Sequence, residues 1–195
     1  MKKMIKFAGI AAVALALTQT LQAIPITGGI GFQGAVQLDT SSAGTATAVT
    51  AWVSPTVLLT VGTFALGSPY GVANFTPVTF AAGNWNFNTT SAINNFWSVG
   101  DYTFQLLSSY IVLPPTAGSV TVNGTGIVSI TGSNPLNYTP TVMSWSFTTQ
   151  DPGIGNPAQY TFSASTVSVP DGGATVMLLG IAFSGVALLK RNLKA

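Results

Sequence analysis

The chain has 195 residues, of which 47% are hydrophobic and 5% are charged, and its mean hydropathy is +0.50. All six basic residues lie in the first six or the last six positions, so residues 24–168 carry zero cations minus three carboxylates, a net charge of −3. Nucleic-acid binding needs Lys or Arg to displace counterions, which excludes that function for the interior. The absence of Cys and His also excludes disulfide bonds and removes the commonest metal ligand.

Residues 1–23 are typical of a secretory signal peptide. Three lysines precede an apolar stretch at residues 7–17, and a polar segment leads to the small residue Ala23. We therefore predict a signal helix that is cleaved after Ala23. The alternative is an uncleaved N-terminal anchor, and under either interpretation the middle of the chain is translocated.

The next region, residues 24–168, is predicted to form strands. Apolar or aromatic residues alternate with Thr, Ser, Asn and Gly at a period of two, and turn residues separate the segments. The predicted strands are 45–53, 56–64, 101–113, 119–131, 141–150 and 159–169, with short aromatic pieces at 74–80, 83–88 and 95–99. Gly124 and Gly126 inside one strand predict a bulge, a tight bend or a close backbone approach.

This pattern predicts an all-β fold. Short strands at close spacing, without a 3.6-residue apolar period, favour an antiparallel β-sandwich of the jelly-roll-like kind as the exported domain. We expect that domain to lie between the N-terminal signal helix and a single C-terminal transmembrane helix. The predicted domains are thus residues 1–23, 24–168 and 169–195.

The C-terminal region, residues 169–195, combines three features. It begins with a turn-forming motif made of Val169, Pro170, Asp171, Gly172 and Gly173. The uncharged run 174–189 follows, which as a helix spans about 24 Å, slightly less than the ~30 Å hydrocarbon core of a bilayer. A basic stop formed by Lys190, Arg191 and Lys194 ends the region and is expected to stay on the cytoplasmic side.

This order of motif, apolar helix and basic stop resembles the PEP-CTERM type of protein-sorting signal, in its VPDSG-CTERM variant. Gly172 stands where the variant carries Ser. The resemblance implies that an exosortase, an integral membrane protease, recognises the motif and removes the tail. The alternative is a plain tail anchor that is never cut.

The strand region carries a second resemblance, confined to the fold. The segments YTFQLLS, VTVNGTGIVSITG, WSFTTQ and YTFSAST are similar to a β-rich exported domain that recurs in PEP-CTERM-type proteins. That resemblance implies export and a β fold, and it implies no activity.

The three interior carboxylates do not form a catalytic pattern. Asp39, Asp101 and Asp151 are far apart in sequence, and each adjoins a turn or a strand end, where Asp caps backbone N–H groups. A paired-carboxylate hydrolase would need two of them in one cleft. We therefore predict no enzyme activity, no cofactor and no metal, with a calcium site from scattered oxygens as the alternative.

Two tryptophans are the candidate binding residues. Trp85 and Trp97 lie in Asn-rich, loop-like surroundings, where exposed rings could stack on sugars of an extracellular polysaccharide. Trp145 alternates in phase with Met143 and Phe147 and is predicted to be a core residue. For both candidates, the alternative is that the ring fills the core.

Together these patterns predict an exported, non-enzymatic surface or extracellular-matrix protein. It is expected to reside in the cell membrane through the C-terminal helix and then to reach the cell surface or matrix. Its expected partner is an exosortase-like membrane protease. The alternative function is a carbohydrate-binding module that acts on matrix polysaccharide.

Overall fold

The computed structural model describes residues 24–81, 83–112, 118–132, 136–151 and 160–168. Across these residues the chain is all-β, with a single short 3-10 turn at Ala43–Thr45. The strands in chain order are β1 (Ile24–Pro25), β2 (Gly28–Leu38), β3 (Ala48–Gly62), β4 (Thr79–Phe80), β5 (Trp85–Asn86), β6 (Ile93–Val99), β7 (Tyr102–Ile111), β8 (Ser119–Ile130), β9 (Tyr138–Thr139), β10 (Thr141–Gln150) and β11 (Tyr160–Ser168).

Period-two alternation builds the central strands. In β10, Met143, Trp145 and Phe147 are buried, whereas Val142 and Ser144 are exposed. β7 and β11 alternate in the same way over most of their length. Each of these strands therefore has one face in the core and one in solvent, which is the usual arrangement of an antiparallel sheet.

Nine of the strands form one antiparallel sheet in the order β4-β6-β7-β8-β10-β11-β2-β3-β5. The remaining two, β1 and β9, form a small parallel pair in which Ile24 lies opposite Tyr138. The first long strand, β2, is an interior strand of this sheet because it pairs with both β3 and β11.

The sheet curls over, and the chain segment between β3 and β6 connects its two sides. On one side, Phe75 N–H donates to Val57 O at 2.7 Å, and β4, a few residues further on, pairs with β6. Nearby, Phe87 N–H donates to Thr47 O at 2.8 Å, and Ser109 N–H donates to Thr89 O at 2.9 Å. These bonds occupy backbone groups that an open sheet edge would leave unpaired.

The all-β antiparallel prediction is confirmed, but the two-sheet sandwich is replaced by one curled sheet. The physical reason is that alternation shows which face of a strand is buried. It does not show whether that face is covered by a second sheet or by the same sheet bending over itself.

An aromatic core fills the inside of the curl. Phe32 lies between rings from other strands, with its centroid 5.1 Å from Trp97 and 5.8 Å from Phe80. Trp85 packs edge-on against Phe147 at 5.1 Å. Such edge-to-face pairs add specific geometry to the large apolar area that each ring buries.

The two glycines inside β8 mark a close backbone approach, which is one of the three predicted alternatives. A Cβ atom on Gly126 would overlap the Phe104 ring, and one on Gly124 would overlap the carbonyl oxygen of Ser108. The neighbouring strand β7 has a bulge between Leu106 and Ser108 at this level. The absence of a side chain at Gly124 and at Gly126 thus leaves room for the core ring and the bulge.

Both predicted terminal helices, at residues 1–23 and 174–189, lie outside the described residues, and the predicted domain boundaries stay predictions. Within the ranges that the structure describes, no helix is long and apolar enough to cross a membrane.

Candidate functional site

The predicted sorting tail begins where the last strand ends. β11 finishes at Ser168, and the motif Val169–Gly173, the run 174–189 and the basic stop Lys190, Arg191 and Lys194 lie outside the described residues. The structure therefore describes the point from which the tail departs, together with the domain that carries it.

That point is held from both sides. β11 pairs with β10, where Met143 lies opposite Ser168, and with β2 on its other side. The Gly28 N–H also donates to Ser168 Oγ at 3.1 Å. Because Ser168 is hydrogen-bonded to neighbouring strands on both sides, the residue that precedes the tail has a fixed position in the sheet.

The chain enters the domain at the same end of the sheet. Ile24 N–H donates to Asn137 O at 3.2 Å, and Ile26 N–H donates to Thr141 Oγ1 at 2.8 Å. Thr141 begins β10, two residues before the position opposite Ser168. The two segments predicted to meet the membrane are therefore attached to one end of the fold, which we call the proximal end.

Two of the carboxylates lie at the opposite, distal end and cap the loop between β2 and β3. Asp39 accepts hydrogen bonds from the N–H of Thr47 at 2.9 Å and of Ala48 at 3.2 Å, as well as from the Thr47 hydroxyl. Asp151 accepts from Ser42 Oγ at 3.0 Å and from the Ala43 N–H. The prediction that these residues cap turns is confirmed for both.

The pKa of Asp39 reflects these contacts. Partial burial acts to raise the pKa, but the hydrogen bonds from Thr47 and Ala48 outweigh it and hold the pKa below its ordinary value of 3.8. A lowered pKa keeps this carboxylate ionised and accepting, which suits a cap. A general acid needs the opposite shift.

Asp101 lies apart from the other two carboxylates, in the turn that precedes β7. Its backbone carbonyl accepts from Thr131 N–H at 2.7 Å and from the Thr131 hydroxyl at 3.0 Å. Among the described residues no group of three or more His, Cys, Asp or Glu side chains could hold a metal ion.

Two buried tyrosines tie loops to the sheet. Tyr102 Oη donates to Thr63 O at 2.9 Å at the proximal end, and Tyr160 Oη donates to Thr40 O at 3.2 Å at the distal end. Burial raises the pKa of both phenols, most strongly for Tyr102. Both therefore stay protonated and act as donors.

The two candidate sugar-binding tryptophans are core residues. Trp85 is 2% exposed and Trp97 is 0% exposed. Trp97 stacks on Phe104 with centroids 5.4 Å apart, and its Nε1 donates to Thr166 Oγ1 at 3.2 Å. Trp85 Nε1 donates to Ser109 Oγ at 3.3 Å. Neither ring has a face in solvent, so the structure offers no sugar-stacking surface at either position and places both where the alternative interpretation put them.

The Asn-rich surroundings that suggested a binding loop serve the fold instead. Asn86 Oδ1 accepts from Asn88 N–H at 2.8 Å, and Asn88 Oδ1 accepts from Ile111 N–H at 2.9 Å. The side-chain oxygens of these asparagines thus accept from backbone N–H groups where the chain leaves β5 and runs beside the end of β7.

Comparison with known proteins supports the assignment of the tail. Residues 168–193 match the family model described as the VPDSG-CTERM motif. The match begins at the last residue of β11 and includes the turn motif, the apolar run and two of the three basic residues. No curated protein and no solved structure gives a significant match to the chain.

Proposed function

We propose that this chain, which carries a VPDSG-CTERM sorting motif at residues 168–193, is an exported, non-enzymatic surface or matrix protein processed by an exosortase-like membrane protease. The observation that carries the proposal is the motif match, which starts where the folded domain ends. The chain would be held transiently in the membrane by residues 174–189 and released from it by cleavage.

The motif has the chemistry of a protease substrate. Proline fixes its own φ and disfavours a helical conformation in the residue before it, as Pro170 would for Val169, and Asp171 is the only charged group between Ser168 and the basic stop. The uncharged run 174–189 would hold this short segment at the outer membrane surface. The basic residues after the run would stay on the cytoplasmic side.

Cleavage in the motif would leave the domain whole. The buried side chains of the described domain run from Ile26 to Thr166. A cut after Ser168 removes none of them, so the released product keeps its aromatic core. Release without loss of stability is what a surface or matrix protein requires.

The proposed absence of enzyme activity is supported by the engagement of the carboxylates. Asp39 and Asp151 are each occupied in capping the loop between β2 and β3. Asp101 lies at the other end of the sheet, beside Thr131. Carboxylates that are held as caps in this way are not the free acid and base pair that a two-carboxylate hydrolase uses.

The test is the intact mass of the exported protein from a host that contains an exosortase. We expect a product that begins at Ile24 and ends within residues 169–173. The Asp171→Asn and Pro170→Ala variants should accumulate with the tail attached. The Asp101→Asn variant, which loses the same charge outside the motif, should be cut normally.

A product that keeps residues 174–195 in the exosortase-containing host would contradict processing and leave the plain anchor. Equal processing of the Asp171→Asn variant and of the parent chain would contradict the role given to the motif.

A further inference from the structure

Exposed apolar side chains concentrate at the proximal end of the domain. Six of the eleven large apolar side chains that the described residues expose lie on the loops and strand ends near Ser168 and Ile24, and the other five are Leu58, Leu59, Phe75, Tyr110 and Val112. We call this set the apolar rim, and it consists of Ile24 (43% exposed), Val61 (48%), Leu66 (70%), Leu136 (39%), Val142 (53%) and Val167 (49%).

The strand register places two of the three valines of the rim together. Val61 of β3 lies opposite Gly29 of β2, and Gly29 lies opposite Val167 of β11. A Cβ atom on Gly29 would be 3.3 Å from Val167 Cγ2, so the valine side chain lies over the glycine. Directly opposed residues share a face of the sheet, which makes these side chains one outer apolar strip.

The loops continue the rim around the end of the sheet. The loop after β3 carries Leu66 and is closed by Val72 N–H donating to Phe64 O at 2.9 Å. In that loop, Tyr70 packs edge-on against Tyr138 of β9 with centroids 5.9 Å apart. β9 in turn pairs with Ile24, so the loop and the entering chain lie side by side.

The sequence after Ser168 sets how far this end can lie from a membrane. Five residues, 169–173, separate β11 from the uncharged run 174–189. Fully extended, five residues span at most about 17 Å. If the run is in the bilayer, the proximal end is therefore within that distance of the lipid surface.

The charges of the domain favour the same orientation. Asp39 and Asp151 are at the distal end, and the described part of the proximal end has one carboxylate, Asp101, and no cation. A nearly uncharged end with an apolar rim suits the headgroup region of a zwitterionic bilayer, where apolar side chains can enter about 5–10 Å.

We propose that the apolar rim contacts the headgroup region of the lipid bilayer while the tail is attached, so that the domain is docked upright with its distal end outward. This inference rests on the proposed membrane anchoring of the tail. It adds to that function a lipid-binding surface on the folded domain, which would hold residues 169–173 between the domain and the bilayer.

The chain has no Cys, so single cysteines can report on each end without background labelling. The experiment uses the full chain in phosphatidylcholine vesicles, labelled with an environment-sensitive fluorophore at Leu66→Cys or, as a second rim position, Val142→Cys. Tyr110→Cys is the matched control, since Tyr110 is 57% exposed on β7 toward the distal end. Ile181→Cys reports separately on the tail.

The rim labels should show blue-shifted emission and quenching by headgroup-nitroxide lipid, and the Tyr110→Cys label should show neither. Equal quenching of rim and control labels, or quenching of neither, would overturn the proposal. A blue shift that the nitroxide lipid does not quench would assign the rim to a second copy of the chain and would also overturn it.

The label at Ile181→Cys distinguishes membrane anchoring of the tail from docking of the apolar rim. An Ile181→Cys label protected in the acyl region, with rim labels in water, would leave the anchor standing and overturn the docking. An unprotected Ile181→Cys label would contradict the anchor, and the contrast between rim and control labels would still decide the docking.

Discussion

Trp52 of β3 stacks on Phe80 of β4 with ring centroids 3.8 Å apart and planes 12° from parallel. The two rings come from opposite sides of the curled sheet, since β3 pairs with β2 and β4 pairs with β6. Phe80 also meets Phe96 at 5.7 Å and Phe32 at 5.8 Å. Phe80 therefore links the closing segment to the core.

Replacing Phe80 by alanine should open this closure. Phe80 is 7% exposed, and truncation of a buried Phe costs about 3–5 kcal/mol of the free energy of unfolding. Denaturant unfolding of the exported protein measures the loss. Phe75→Ala is the control, because Phe75 lies in the same segment with 69% exposure, and surface changes stay within about 0.5 kcal/mol. Similar losses in both variants would contradict the assignment of closure to Phe80.

Gly126→Ala should destabilise the fold although it adds a single methyl group. The new Cβ would overlap the Phe104 ring and the Gln105 carbonyl, and overpacking of this kind costs about 1–3 kcal/mol. Gly31→Ala is the matched control, since its nearest atoms lie at 3.8 Å and a tolerated Gly→Ala change stabilises by about 0.4–1 kcal/mol. Thermal unfolding should give a lower midpoint for Gly126→Ala than for Gly31→Ala, and the opposite order would contradict the prediction.

Stability should depend on Asp39 at acid pH. Its pKa is lowered in the folded state, so its stabilising effect is fully present above the unfolded-state value near 3.8. That effect is lost as the pH falls through the folded-state pKa. The parent chain should therefore exceed Asp39→Asn in free energy of unfolding at neutral pH, and the difference should shrink below pH 3.8.

The control for Asp39 is Asp101→Asn, which removes an equal charge but keeps the backbone carbonyl that bonds Thr131. A difference in the free energy of unfolding between the parent and Asp39→Asn that stays constant from pH 7 to about pH 2 would contradict this prediction.

Stability should also fall at alkaline pH because of Tyr102. Burial raises its pKa far above the ordinary value of 10.0, so the folded state favours the protonated phenol. The stabilisation is complete below pH 10 and is lost as the pH rises, because the unfolded chain ionises first. Tyr102→Phe should be less stable at neutral pH, since Thr63 O loses the buried phenol and keeps the Ser68 hydroxyl as a donor. It should decline less steeply above pH 10 in pH-dependent unfolding, and a decline as steep as that of the parent would show that other groups are responsible.

The strands with unbroken alternation could be predicted closely from the sequence. The sequence predicts Thr141–Gln150 with the bounds that the structure has, because the apolar residues Met143, Trp145 and Phe147 alternate with Ser and Thr. The segments predicted as 45–53 and 56–64 proved to be one strand, Ala48–Gly62. Ser54 adopts φ 47° between them, and Gly34 faces a register shift there. A bulge keeps a strand continuous while its local residues resemble a turn.

The candidate binding residues could not be judged from local sequence. Trp85 lies between asparagines that look like loop residues, yet its ring meets Phe96 and Trp85 is 2% exposed. Its burial depends on residues brought from β6 and β10 by the curling of the sheet. Sequence spacing carries no information on such distant neighbours. The sequence therefore leaves two interpretations of this ring, a sugar-stacking surface or a core residue, and the fold decides between them.

The sequence alone determined that the interior is all-β, that its charge is acidic, and that residues 168–193 carry the VPDSG-CTERM motif. These properties depend on residue type and on short spacing, which a linear chain displays directly. The tertiary structure decided that one sheet curls over its own core, that Trp85 and Trp97 are interior, and that Ile24 and Ser168 share an end with the apolar rim. Those relationships arise from contacts between residues far apart in sequence, 24 positions for Trp85 and Ser109 and 140 positions for Gly28 and Ser168, and only folding brings such residues together.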